Sequence, residues 1–280
     1  MTCALLALLA LGQVSPHLLV FGGGRRWVIL DGNGGLVRTI RDFPPGIPND
    51  VRDLAITADG ARVAVTAYLP SAQNVMLFLW DTKTGAAQQI GDAVGFHAAP
   101  SFSADGMKLV FAHHPKKGGP PGQHEGGSYA QLWEQHLLTL EMKALTSSSG
   151  CHMESSRVGE RIYFSHADCR GGRRIEVLQS GREQPLTQFE DHHGEPSLSL
   201  DARRLVFTHG EGDEIELQEL SLTSARPLQP KTIWHGARLG SRLRPQYIQD
   251  GRVAFQNGEN IYIATRGVAE PKFSLDGATQ

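Results

Sequence analysis

The chain has little excess of charge of either sign. Its 280 residues carry 27 Lys and Arg against 29 Asp and Glu, a formal net charge of −2. Nothing in that balance suggests nucleic acid or an anionic membrane surface, which call for a strongly basic face. No apolar run approaches the roughly 18 residues of a membrane helix. Cysteine is scarce, and three residues do not make a disulfide framework. Familiar catalytic motifs are missing as well. Gly126-Gly127-Ser128-Tyr129-Ala130 lacks the last glycine of a nucleophile elbow, which argues against a serine peptidase. Gly22-Gly23-Gly24 precedes a strand-like run, not a helix, so it is no phosphate-binding loop.

What the sequence does contain is a repeat. Short apolar runs end at Phe21, Val65, Phe111, Phe164, Phe207 and Phe255, at intervals of roughly 43 to 53 residues, a period that in strand-like sequence marks one four-stranded propeller blade. The clearest unit is Pro100-Ser101-Phe102-Ser103-Ala104-Asp105-Gly106-Met107-Lys108-Leu109-Val110-Phe111. Its first residues alternate as a strand, Ala-Asp-Gly makes the turn, and Lys-Leu-Val-Phe returns as the second strand. Leu54–Val63, Pro196–Leu205 and Pro245–Val253 echo the unit, and blade 4 is the most degenerate, at Ser155–Arg161. Phe273-Ser274-Leu275-Asp276-Gly277 imitates a seventh start. However, Ile261–Pro271 aligns with Ile175–Pro185, which puts Phe273 on the outer strand of blade 6. The expectation is an all-β chain: one six-bladed propeller over residues 15–280, with four antiparallel strands per blade and almost no helix.

The unit resembles the TolB-type propeller repeat, whose consensus runs Pro-Ser-aromatic-Ser-Pro-Asp-Gly-Lys-x-hydrophobic-x-Phe. Residues 100–111 and 196–207 match best, with Ala or Leu in place of the proline before Asp. Ile175–Thr187 resembles the family's third strand, glycine turn and Leu-Thr ending, which Leu145-Thr146 repeats. The resemblance implies the fold; function lives in sites grafted on it.

At the N-terminus, Ala4–Leu11 is a short apolar stretch, and Ala10-Leu11-Gly12 resembles a signal cleavage site. Alignment of the repeats instead puts residues 10–14 on the first inner strand. Residues 1–14 are therefore either a signal peptide or that strand, and the first reading makes the protein periplasmic or secreted. Cys151 and Cys169 fall on facing strands of one hairpin, as a disulfide, part of a metal site or free thiols. In blade 3, Pro115–Gly127 has no periodicity and reads as an inserted loop over the histidine-bearing edge.

Ten of the 12 histidines lie between His97 and His209. His113, His166 and His209 each stand two residues past an anchor phenylalanine. His97, His152 and His193 stand near the start of the preceding strand. Because the two strands are antiparallel, each pair should meet at one edge of its blade. His114 and His192 flank these positions, and Glu190, Asp191, Glu195 and Glu211 could support them. Neutral imidazole is a common metal ligand, so the six histidines make a candidate site for zinc or copper at the mouth of the channel. The bland alternative is a polar rim copied by repeat duplication. Two functional readings follow: an exported, monomeric scaffold whose rim takes a protein, peptide or small ligand, or a metal-dependent enzyme resembling oligogalacturonate lyase. No catalytic base stands out among Lys116, Lys117, Arg242 and Arg244.

Overall fold

The computed structural model describes residues 18–92, 95–114, 130–168, 170–210, 212–223, 229–240, 242–265 and 268–275. They form six antiparallel sheets arranged as the blades of a propeller. Blade 2 runs Asp50–Ile56, Arg62–Leu69, Asn74–Asp81 and Ala87–Ile90. Blade 3 runs Phe96–Phe102, Lys108–His114, Gln131–His136 and Met142–Ala144. Blade 4 runs Cys151–Val158, Arg161–Ala167, Arg173–Gln179 and Arg182–Pro185. Blade 5 runs Gly194–Leu198, Arg204–His209, Glu214–Ser221 and Lys231–Ala237. Blade 6 runs Gln246–Tyr247, Val253–Asn257, Asn260–Thr265 and Val268–Ser274. Blade 1 contributes three described strands, Leu19–Gly23, Arg26–Leu30 and Leu36–Ile40. The one helical element among the described residues is a three-residue 3-10 turn, Phe189–Asp191. Phe273 lies on the outer strand of blade 6, as the repeat alignment requires.

The hairpin turns explain why the Asp-Gly signature recurs. In blade 3 the Lys108 amide donates to Ser103 Oγ at 3.0 Å, and the Met107 amide donates to Asp105 Oδ1 at 3.0 Å. Thr57 with Asp59, and Ser199 with Asp201, build the same turn in blades 2 and 5. The fourth turn position is left-handed: φ is 70° at Gly60, 66° at Gly106 and 55° at Ala202. Leu-Thr lies just past the fourth strand. Thr146 and Thr187 there accept the third-strand amides of Leu132 and Ile175, each at 2.9 Å.

Six apolar clusters, one between each neighbouring pair of blades, close the ring. Strand alternation assigns the faces. In blade 1, Leu19 and Phe21 pack toward blade 6, while Val20 packs toward blade 2. Each anchor fills the seam with the preceding blade: Phe111 with blade 2, Phe164 with blade 3, Phe207 with blade 4 and Phe255 with blade 5. All four are fully buried. No helix among the described residues is long and apolar enough to cross a membrane.

Candidate functional site

The histidine pairs form where the strand pairing puts them. His97 lies opposite His113, and His152 opposite His166. Ring centroids are 4.8 Å apart for His97 and His113, 4.4 Å for His152 and His166, and 5.0 Å for His193 and His209. The pairs do not sit in an open mouth, however. Residue i+2 on a strand shares the face of residue i, so His113, His166 and His209 share the face of the anchors. They therefore turn into the interblade seams. His97, His113, His152, His166 and His193 are buried, and His209 is half-buried. The rings of His97, His152 and His193 pack on Phe111, Phe164 and Phe207.

Burial governs their protonation. Desolvation and the neighbouring His113 push His97 down to about 4, against a bond to the Val75 carbonyl. His152 falls to about 4 by burial and by the proximity of His166, and His193 to about 4 chiefly by burial. These three rings are neutral at pH 7.

In blade 4 the pair gains a carboxylate. His152, His166 and Glu176 place one donor atom each within 4.8 Å of one another, the one such group of three among the described residues. His166 Nδ1 donates to Glu176 Oε1 at 2.7 Å, and its Nε2 lies 2.8 Å from the Ser149 carbonyl. His152 meets Gln131 Oε1 at 2.8 Å and Ser148 Oγ at 3.1 Å. Burial raises the Glu176 carboxyl, but hydrogen bonds and charge from His166 and Arg174 outweigh it and leave it lowered. Every ring nitrogen of this pair already has a partner, so a metal here would replace a shared proton. A cavity of about 330 Å³ adjoins the set, lined also by Asp168, Arg174 and Glu183. Cys151 is half-buried opposite Ala167. Cys169 lies outside the described residues, as do Glu211, the 115–127 insertion and residues 1–14.

At the same edge of the propeller a cavity of about 620 Å³ opens at the channel mouth, and sequence reasoning did not find it. Its walls come from Gly22–Gly24, the start of the first strand of blade 2, Tyr68, Gln73–Val75 and the segment entering blade 6. Asp53 is 5% exposed. Arg242 and Arg244 both pair with it, Arg244 at 3.2 Å. Burial raises Asp53, but the two guanidiniums and the hydrogen bonds from Ala99 and Thr66 bring its carboxyl below the usual range. Arg244 also donates to the Arg52 carbonyl at 3.0 Å. These contacts tie blade 6 to blade 2 in front of blade 1.

Below the mouth the first strands of blades 2 to 5 bulge against their partners. Ala99, Glu154 and Glu195 at the bulges, and Arg244 ahead of blade 6, take φ near 50°. Carboxylates from one blade accept amides of the next. The Ala99 amide donates to Asp53 at 3.0 Å, the Glu195 amide to Glu154 at 3.0 Å, and the Leu243 and Arg244 amides to Glu195 at 2.9 and 2.6 Å. Burial, and then the charge of Glu154, raise Glu195. Left-handed non-glycine residues recurring at one level of a channel mark a place where local strain is held by the surrounding structure.

This architecture is that of the TolB-type six-bladed propeller. The fold is similar to TolB from Acinetobacter baumannii, with a TM-score of 0.64 and 20% identity over 95% of this chain. The chain spans 64% of that protein's length. It is also similar to a putative TolB from Agrobacterium tumefaciens, at 0.62 and 14%, covering 94% of this chain and 86% of that one. An oligogalacturonate lyase in complex with manganese follows at 0.57 and 12%, covering 94% and 73%. At such identities the likeness is one of fold. No family model and no curated protein matches the sequence.

Proposed function

We propose that the chain is a binding scaffold that takes a protein, peptide or small-ligand partner at the mouth of its channel. The observation that carries this reading is the 620 Å³ cavity built over the buried Asp53–Arg242–Arg244 cluster. Concave sites with a few convergent charged groups are where propellers and other scaffolds bind. Likeness of fold to TolB supports a scaffold without naming its partner. We also infer an exported protein, periplasmic or secreted, from the apolar Ala4–Leu11 stretch. Site-specific photo-crosslinking tests the binding reading. A photoreactive residue at Tyr68, on the mouth, should give a discrete adduct with a partner, and one at the exposed Leu138 should not. Equal adducts at both positions, or none at Tyr68, would contradict it.

A second reading concerns blade 4. His152, His166 and Glu176 have the donor chemistry of a zinc or copper site: two imidazoles, one of them held neutral at His152, and one carboxylate. The other four, His97, His113, His193 and His209, form pairs without a third ligand so close among the described residues. Metal binding would displace the proton between His166 and Glu176, so affinity should fall as pH is lowered. Calorimetric titration with zinc and copper should show binding tighter than about 100 µM that His166→Ala abolishes. Weaker binding, or binding indifferent to that substitution, would end this reading.

A further inference from the structure

The loop that leads into blade 4 carries Ser147, Ser148 and Ser149, and its neighbours tie it down. The Ser148 carbonyl accepts from Gln131 Nε2 at 2.9 Å, the Ser149 carbonyl lies 2.8 Å from His166 Nε2, and the Ser147 amide donates to Glu183 Oε1 at 3.0 Å. Gly150 ends the loop with φ at 120°, where an added Cβ would come within 2.2 Å of His166 Nε2. Ser148 is exposed, yet its hydroxyl is held in one place. Its Oγ lies 3.1 Å from His152 Nε2 and also meets Glu183 Oε2.

The bonds around Gln131 decide which nitrogen of His152 carries the proton. Gln131 gives an amide hydrogen to the Ser148 carbonyl, so its Oε1 is the acceptor for both Thr146 Oγ1 and His152 Nδ1, each at 2.8 Å. Nδ1 is therefore the donor, and the neutral ring turns the lone pair of Nε2 toward Ser148. A hydroxyl, an imidazole acceptor within reach and a third group that orients the ring make an activated nucleophile. The 330 Å³ cavity reaches Ser148 and is walled by Asp168, Arg174, Glu176, Glu183 and Phe189. That size lies at the low end of ligand sites. Three carboxylates against one guanidinium disfavour an anionic guest.

We propose that Ser148 is the nucleophile of an esterase site, with His152 as its base and Gln131 positioning that base, acting on small neutral or cationic esters. Ser148 Oγ attacks the ester carbonyl carbon while its proton passes to His152 Nε2. The bond from that carbon to the alcohol oxygen then breaks, and the alcohol leaves with the proton. Water attacks the acyl-serine by the same route, releasing the acid and restoring the hydroxyl. Glu183 Oε2, 3.6 Å from Nε2, balances the charge while the ring holds the proton. This activity goes beyond the scaffold reading. It excludes a metal on His152, because coordination through either ring nitrogen removes the base.

The test treats the full chain, in EDTA, with a fluorophosphonate probe and locates the adduct by peptide mass spectrometry. Ser148 should be labelled while the equally exposed Ser147 and Ser149 are not. Ser148→Ala should lose both the label and the hydrolysis of p-nitrophenyl acetate. His152→Gln should slow labelling by at least about a hundredfold, with thermal melts showing that the variant is folded. Gln131→Leu should slow it too, and Gln131→Glu, which restores an acceptor for Nδ1–H, should recover most of the rate. If His152→Gln does not fold, the Gln131 pair decides the role of the base. p-Nitrophenyl hemisuccinate should react at least about tenfold more slowly than the acetate; a faster reaction would overturn the substrate class. No adduct at Ser148, equal labelling of the three serines, an unchanged rate in folded His152→Gln, or a reaction that appears only when zinc replaces EDTA would each overturn the proposal. The Tyr68 crosslink judges the scaffold reading separately.

Discussion

Acid should destabilise this propeller through two histidines that are buried as neutral rings. His97 donates Nδ1–H to the Val75 carbonyl, and its Nε2 is buried without a hydrogen-bond partner. His193 bonds Gln218 through Nε2 at 3.1 Å, while its Nδ1 is buried without a hydrogen bond, 3.7 Å from Asp191. Both titrate at about 4 in the fold, against 6.5 unfolded. A lowered folded pKa means the unfolded chain binds the proton first. The stabilisation is complete above pH 6.5 and is lost as pH falls from there toward 4. Each group loses up to about 1.4 kcal/mol per pH unit in that window, so both together lose about 3 kcal/mol between pH 6.5 and 5. Folded domains hold only about 5–15 kcal/mol, so that is a large share. Urea unfolding at pH 7.5, 6.5, 5.5 and 5.0 measures it. The variant His97→Gln with His193→Gln should start less stable but show a slope shallower by up to about 3 kcal/mol per pH unit between pH 6 and 5. Equal slopes for variant and parent would refute the reasoning.

Two further outcomes follow from local structure. Ala202 occupies the left-handed turn position that Gly60 and Gly106 fill elsewhere, so Ala202→Gly should stabilise by about 0.5–1 kcal/mol, measured as a rise in Tm. Cys151 is a free cysteine in the structure, so thiol titration of the unfolded, unreduced chain should find it reactive; no reactive thiol beyond any from Cys3 would refute that.

Much of the fold was legible because the anchor residues do the same work six times. Phe111, Phe164, Phe207 and Phe255 each fill a seam, so a constant spacing had to survive around them. The histidine pairing was legible for the same reason, since antiparallel strands bring a start and an end together. Their burial could also have been read: two residues past a buried phenylalanine is the same face of the strand. The channel cluster could not. Asp53 stands about 190 residues from Arg242 and Arg244 in sequence, and no local pattern joins blade 6 to blade 2. The bulges that aim Glu154 and Glu195 also break the period that made the strands visible. Nor could sequence separate the blade 4 pair from its siblings, because Glu176 joins it from a third strand.

The most direct test of the binding claim is calorimetric titration of the partner captured at Tyr68 against the parent protein, Arg52→Glu and His166→Ala. Arg52 lines the mouth with its side chain 56% exposed, so reversing its charge leaves the seams intact. Arg52→Glu should change the partner's Kd by at least about tenfold, and His166→Ala should leave it unchanged. An unaltered Kd with Arg52→Glu and loss of binding with His166→Ala would move the function from the channel mouth to the histidine seam and contradict the account.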